Sequence, residues 1–125
     1  MSGVSADVHD FVVAHFDSVE ALEIAMLLRR GPNTFWAAPA IAEHLGMRQN
    51  VAEAKLNALR DGGLLVRGDQ TGAYRYSPAN DELRQRVDAL AEAYTDRRLS
   101  VINIIHSANL ERLRAFSGAF RLKDK

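Results

Sequence analysis

Two short segments of helical periodicity, on either side of one glycine, constrain the fold of this chain most strongly. Residues 39–45 and 49–61 repeat apolar side chains every three or four positions, which predicts two amphipathic helices. The inward positions are Ile41, Ala42 and Leu45 in the first segment and Ala52, Leu56 and Leu59 in the second. Pro39 suits the first position of a helix, and Gly46 can adopt the positive φ that a sharp turn between helices needs.

A β-hairpin is predicted after the second of these helices, which Gly62 and Gly63 end. Residues 64–67 and 73–76 are β-prone, and the intervening residues 68–72 (GDQTG) have the composition of a tight turn. Tyr74 and Tyr76 share one face of their strand, so we expect their rings over the core and their hydroxyls at the surface.

Two further helices are predicted before this unit. Residues 8–16 carry the spaced apolar side chains of a short amphipathic helix. Asp17 is placed as the N-cap of the next helix, with Glu20 in the position of a capping box. That helix is expected to end at residues 31–33 (GPN), with Arg29 and Arg30 in its last turn.

The last third of the chain has the periodicity of one long helix. From residue 81 to about residue 107 the apolar repeat is close to 3.5–3.6 residues, interrupted only at Arg97 and Arg98. A last short helix is expected to hold Leu110, Leu113 and Phe116. The whole pattern predicts a mainly α fold with a small β-hairpin, in which residues 1–78 form one domain and residues 79–125 a helical extension.

Composition excludes several classes of function. The chain has no cysteine, and therefore no disulfide, thiolate metal site or cysteine nucleophile. No apolar run reaches the roughly 18 residues of a membrane span. The acidic N-terminal segment is unlike a secretory signal, which favours a cytoplasmic protein. Because His9, His15, His44 and His106 form no ligand-spaced pair, we expect no metal and no other cofactor. No serine has the flanking glycines of a nucleophile elbow and no glycine-rich loop could bind phosphate, so we expect no enzyme activity.

The stretch from residue 40 to residue 67, AIAEHLGMRQNVAEAKLNALRDGGLLVR, resembles the winged helix-turn-helix of bacterial transcription regulators, the broad group that contains the MarR and GntR-like families. The six inward positions above match its two helices, and Gly46 matches its turn glycine. Met47 matches the apolar residue that plugs the turn, and residues 63–65 (GLL) match the entry to the wing. The chain departs from the pattern at Ala38 and Arg48, where these families usually have Ser or Thr N-caps.

The resemblance implies that the outer face of the second helix reads the major groove of double-stranded DNA while the hairpin holds the backbone. Amide side chains pair with adenine edges, carboxylates accept from cytosine, and arginine binds phosphate or guanine. The residues expected at the DNA are Arg48, Gln49, Asn50, Glu53, Lys55, Asn57, Arg60, Arg67 and Arg75.

A homodimer is expected because the formal net charge is zero, which is weak for a DNA-binding chain. Two copies would double the basic surface and engage two half-sites. The residues expected at the interface are Leu83, Val87, Leu90, Tyr94, Val101, Ile105, Phe116 and Phe120. The same stripe would alternatively be covered by folding back against the N-terminal helices.

The C-terminal residues Phe116, Ala119, Phe120 and Arg121 form an F-x-x-A-F-R element like the tail of small bacterial winged-helix proteins. Two phenylalanines near a basic terminus are typical of a partner-docking peptide or of a cap on a dimer core. An alternative function is therefore a winged-helix adaptor that binds a sigma factor, RNA polymerase or another regulator. A ligand-responsive regulator is a third option, for which the sequence shows no convergent polar cluster.

Overall fold

The computed structural model describes residues 4–69 and 72–123, with side chains up to residue 116. This part of the chain is mainly helical, with one two-stranded antiparallel sheet. The elements are α1 (Ala6–His15), α2 (Val19–Arg30), α3 (Ala38–Leu45), α4 (Gln49–Asp61), β1 (Leu65–Arg67), β2 (Tyr74–Tyr76), α5 (Asp81–Asp96) and α6 (Arg98–Lys123). The prediction of a mainly α fold with a small β-hairpin is confirmed at this level.

The starts of α2, α3 and α4 differ in how their first amides are satisfied. The hydroxyl of Ser18 caps α2, since Ser18 Oγ accepts from the Ala21 amide at 3.1 Å. The prediction of Asp17 as this cap is therefore wrong by one residue. Ala37 precedes α3 and Arg48 precedes α4, and neither makes a side-chain capping bond.

Gly46 makes the turn between α3 and α4 in the left-handed conformation, with φ 71° and ψ 41°. The amide of Met47 donates to the carbonyl of Ala42 at 3.0 Å, which closes the end of α3. The two helices pack on each other and α4 also packs on α2. The predicted inward residues are buried except Leu45, which is half-buried.

The hairpin is joined to the helices through Trp36. The strands pair Leu65 with Tyr76, Val66 with Arg75 and Arg67 with Tyr74. Trp36 and Tyr74 then exchange two backbone hydrogen bonds, at 2.7 and 2.8 Å, in an isolated antiparallel bridge. Tyr74 and Tyr76 are both buried, so the expectation of surface hydroxyls is wrong.

The C-terminal region is two helices that meet at Arg97, which has φ −136° and ψ 52°. The prediction of one continuous helix from residue 81 to residue 107 is therefore wrong. Leu110, Leu113 and Phe116 belong to α6 and not to a separate short helix. Because the chain breaks its helical path at Arg97, α6 packs against both α5 and α1.

One apolar core runs through the whole described chain. Val87, Leu90, Val101 and Ile105 are at most 1% exposed and join the core of the N-terminal helices. Leu83 and Tyr94 are half-buried against the same core. This corrects the expectation that the stripe lies at a dimer interface, because α5 and α6 fold back and bury it within one chain. Phe116 is exposed, and the side chain of Phe120 lies outside the described residues.

Candidate nucleic-acid interface

The first two turns of α4 present polar side chains to solvent. Arg48, Gln49, Asn50 and Glu53 are all exposed, as predicted from the helical period. The opposite side of α4 is buried through Ala52, Leu56 and Leu59, which fixes how far the helix projects from the core. The chemistry of this surface is one cation, two amides and one carboxylate, a set that can bond phosphate oxygens and base edges.

The N-cap residue of α4, Arg48, makes no side-chain capping bond, which leaves the first amides of the helix open to an outside acceptor. Arg48 has extended backbone geometry (φ −72°, ψ 145°), but no side-chain oxygen accepts from the first amides of α4. Free amides at a helix start, together with the positive end of the helix dipole, favour an anion. The exposed guanidinium of Arg48 adds a full positive charge at the same end of the helix.

Three of the predicted DNA contacts on α4 are engaged within the chain. Lys55 Nζ lies 3.1 Å from Asp17 Oδ1, and its side chain is only 22% exposed. Asn57 Oδ1 accepts a hydrogen bond from the Tyr74 hydroxyl. Arg60 Nη2 pairs with the adjacent carboxylate of Asp61 at 3.1 Å. The exposed predicted contacts therefore lie together on the first two turns of α4. Lys55, Asn57 and Arg60, further along the helix, bond instead to other residues of the chain.

The two arginines of the hairpin lie in different surroundings. Arg67, in β1, is exposed, and its guanidinium carbon lies 5.8 Å from the centre of the Tyr74 ring. Arg75, in β2, is half-buried, and its guanidinium carbon lies 5.6 Å from the centre of the Phe35 ring. Stacking on an aromatic face orients a guanidinium without neutralising it. Arg67 therefore keeps its positive charge at the end of β1.

A cluster of charged and phenolic groups joins α2 to the C-terminal helices. Glu23 Oε1 accepts from the Tyr94 hydroxyl at 2.7 Å and pairs with Arg98 Nη2 at 3.0 Å. Burial and the hydrogen bond to Glu23 raise the pKa of Tyr94 to about 12. Tyr94 therefore stays neutral near neutral pH and acts as a donor, which suits a structural tie better than a proton-transfer role.

Sequence reasoning missed a second basic region. Arg29, Arg30, Arg75 and Arg84 line one cavity of about 530 Å³ between the end of α2, β2 and the start of α5. Arg29 and Arg30 were accounted for by the helix dipole, and Arg84 lies about fifty residues further along the chain. Their proximity depends on the packing of three elements, so no local pattern could indicate it.

A separate cleft of about 930 Å³ borders the turn between α3 and α4 and the facing side of α6. Its titratable groups include His44, His106, Glu20 and Glu23, together with Arg48 at the start of α4. Within the described part of the chain, no three histidine, aspartate or glutamate side chains are placed to hold a metal ion.

Comparison with known proteins finds no match: no protein-family model, curated protein or solved structure is significantly similar to this chain. Among the described residues, no helix is long and apolar enough to cross a membrane.

Proposed function

We propose that this protein is a winged helix-turn-helix transcription regulator that binds double-stranded DNA in the cytoplasm as a homodimer. The observation that carries the proposal is the surface of α4, where Arg48, Gln49, Asn50 and Glu53 are exposed opposite a buried apolar stripe. A helix that reads bases needs this division, because one side must pack while the other enters the groove.

The order of elements supports the same proposal. Helix α2, the bridge residue Trp36, helices α3 and α4, and the hairpin follow one another as in a winged helix-turn-helix. In that arrangement α4 reads the major groove and the hairpin is the wing. Arg67 would contact the phosphate backbone next to the bases that α4 reads.

The low positive charge of the proposed DNA surface is the reason that we include dimerisation in the proposal. Among the described residues, Arg48 and Arg67 are the exposed arginines of α4 and the wing, and the chain is neutral overall. One copy would release few counterions from DNA and bind weakly. Two copies on adjacent half-sites double both the charge and the base contacts.

An exposed face of α6 is the surface we propose for dimerisation. Leu99, Leu110 and Leu113 are 75%, 47% and 61% exposed. With Ile102 and His106 they lie within about 80° of one another around the helix, at 100° per residue. An exposed apolar stripe of this kind favours a partner. We propose this surface in place of the stripe predicted from the sequence, which is buried in the core of one chain.

The test is selection of duplexes from fragmented genomic DNA, followed by affinity measurements on the selected sites. Arg67→Ala should weaken binding to all duplexes and lower the slope of log K against log salt by about one. Asn50→Ala should change the sequence preference, with about 1–3 kcal/mol lost at one base position. Arg86→Ala is the control, because Arg86 pairs with Glu82 on α5. If no duplex is selected, or if all three variants behave alike, the proposed reading surface is wrong.

Dimerisation is tested separately by sedimentation equilibrium. Leu110→Asp and Leu113→Asp should each shift the protein towards monomer, because a buried carboxylate opposes association. Glu111→Gln, on another side of α6, is the control. A wild-type protein that stays monomeric at high concentration contradicts the dimer.

The second candidate is a winged-helix adaptor that binds a sigma factor, RNA polymerase or another regulator. The exposed apolar side chains of α6 and the carboxylate of Glu53 on the reading helix favour it. Saturable binding to purified polymerase or sigma factor, lost in Leu113→Asp, together with no binding to any duplex at low salt, would select this candidate.

A further inference from the structure

The cavity lined by Arg29, Arg30, Arg75 and Arg84 has an unusual charge for a neutral chain; we call it the arginine groove. Two of its cations are partly neutralised. Arg29 donates from Nε and Nη2 to Asp88 Oδ1 at 3.1 and 2.9 Å, and Arg84 pairs with Asp81 Oδ1 at 2.9 Å. Four guanidiniums therefore face two carboxylates, which leaves an excess of two positive charges around the groove.

The remaining two cations have no carboxylate partner in the described structure. Arg30 donates from Nε to the carbonyl of Met26 at 3.4 Å, and Arg75 stacks over Phe35. Both guanidiniums therefore keep donors for a further acceptor, since each carries five N–H groups in a planar fork.

Tyr76 supplies an independent observation. The residue is 7% exposed and lines the groove, and its hydroxyl has no hydrogen-bond partner among the described residues. Tyr76 lines the groove together with Arg29, Arg84 and Asp88, and the charges of these three residues also act on its hydroxyl. A buried hydroxyl without a partner is costly, which favours a ligand oxygen at this position. Burial raises the pKa of Tyr76 above its usual value, so the group remains an O–H donor.

We propose that the arginine groove binds the phosphate group of a small organic phosphate monoester. A monoester carries close to two negative charges at neutral pH, which matches the excess charge of the groove. Its terminal oxygens accept from guanidinium forks and from the Tyr76 hydroxyl. A cavity of about 530 Å³ is larger than one phosphate group, so it also holds the organic part, against Pro32 and Pro78.

A backbone phosphate of DNA fits the groove less well. A phosphodiester carries one negative charge and has only two free oxygens, whereas the groove offers two excess charges and a buried hydroxyl. The proposal therefore concerns a site separate from the reading surface of α4 and does not depend on DNA binding.

The test is titration of the isotope-labelled full chain, without DNA, followed by amide chemical shifts. The probes are glycerol 3-phosphate, inorganic phosphate and glycerol, at constant ionic strength. We expect saturable shifts at residues 75–77 and 84 with glycerol 3-phosphate, weaker ones with inorganic phosphate, and none with glycerol. Equal binding of inorganic phosphate would indicate a simple anion site, and no localised shift in the millimolar range would indicate none; each result overturns the proposal.

Matched variants on α5 test the charge. Arg84→Gln should weaken glycerol 3-phosphate binding about tenfold, the effect of one charge-assisted hydrogen bond. Arg86→Gln removes the same charge two residues away, from a side chain that pairs with Glu82 and lies outside the groove, and should change affinity little. Equal losses in the two variants would indicate non-specific attraction. If Arg84→Gln weakens duplex binding while monoesters fail to bind, the groove belongs to the DNA surface and the proposal is overturned.

Tyr76→Phe separates ligand binding from folding. Removing an unpartnered buried hydroxyl should leave the melting temperature of the free protein unchanged or higher. The same change should weaken glycerol 3-phosphate binding about fivefold, because the ligand loses one donor. A lower melting temperature with unchanged affinity would place the hydroxyl in the fold alone and contradict its role in the site.

Discussion

The hydroxyl of Tyr74 donates a hydrogen bond to Oδ1 of Asn57, which ties the second strand of the hairpin to the third turn of α4. Tyr74 also exchanges two backbone hydrogen bonds with Trp36, in the segment between α2 and α3. One buried tyrosine thus connects the hairpin both to α4 and to the segment that precedes α3. This connection fixes the angle between α4 and the hairpin, the two elements that we propose contact DNA.

Asn57→Ala is predicted to destabilise the protein by about 1–2 kcal/mol, because it leaves the buried Tyr74 hydroxyl without its acceptor. Asn50→Ala changes the same residue type on the exposed part of α4 and should cost less than about 0.5 kcal/mol. Urea unfolding of both variants measures the difference. Equal free energies of unfolding would mean that the Tyr74–Asn57 bond contributes nothing to stability.

Asn57 illustrates how far the sequence could predict the candidate site. Helical period separated the buried residues of α4 from the polar ones, and the exposure of Arg48, Gln49 and Asn50 followed from it. The helical period alone cannot distinguish a polar residue that faces solvent from one that contacts another helix or strand. Lys55 and Asn57 were assigned to solvent, yet each meets a partner from a distant segment, Asp17 for one and Tyr74 for the other.

The C-terminal helices show a second limit. Their apolar repeat was visible, but a stripe is equally compatible with a partner chain and with the same chain. The helix breaks at Arg97, and α6 therefore packs back onto α1 and α5. Val101 and Ile105 are buried by the same chain for this reason, and not by a partner. Arg112 then donates from Nη2 to the carbonyl of Val13 at 3.0 Å, a contact that no local pattern contains.

Gly46→Ala is predicted to cost about 1–2 kcal/mol, because Gly46 is in the left-handed region, where a Cβ is strained. Apart from Gly46 and its two chain neighbours, no residue has an atom within 4 Å of the added Cβ, so the cost is conformational. Gly62→Ala is the control: Gly62 has φ −78° and only ordinary van der Waals neighbours, so alanine should be neutral or slightly stabilising. Thermal unfolding compares the two variants, and a larger loss for Gly62→Ala would contradict the turn geometry.

Tyr94 is predicted to make the protein lose stability as the pH rises from 10 to 12. Its pKa is about 12 in the folded chain against an ordinary value of 10, so the folded state binds the proton more tightly. The stabilisation is complete below pH 10 and is lost as the pH passes through the folded pKa. The free energy of unfolding should therefore fall more steeply in the wild type than in Tyr94→Phe.

Subtracting the two pH profiles removes the titration of lysines, which both proteins share. Glu23→Gln keeps an acceptor for the Tyr94 hydroxyl but removes the carboxylate charge that helps to raise its pKa. Its profile should lie between the other two. Parallel profiles for the wild type and Tyr94→Phe would mean that the tyrosine pKa is not raised.

Arg48→Ser is predicted to raise stability and to lower DNA affinity, because one residue holds two incompatible roles. Arg48 has the extended backbone of an N-cap, where serine would bond the open amides of α4 and add about 0.5–2 kcal/mol. The same change removes an exposed cation at the proposed phosphate contact, so the salt slope of DNA binding should fall by about one. Arg48→Ala, measured beside it, should lose the affinity without the gain in stability. A serine variant that binds DNA as tightly as the wild type would show that the missing cap at α4 has no connection with DNA.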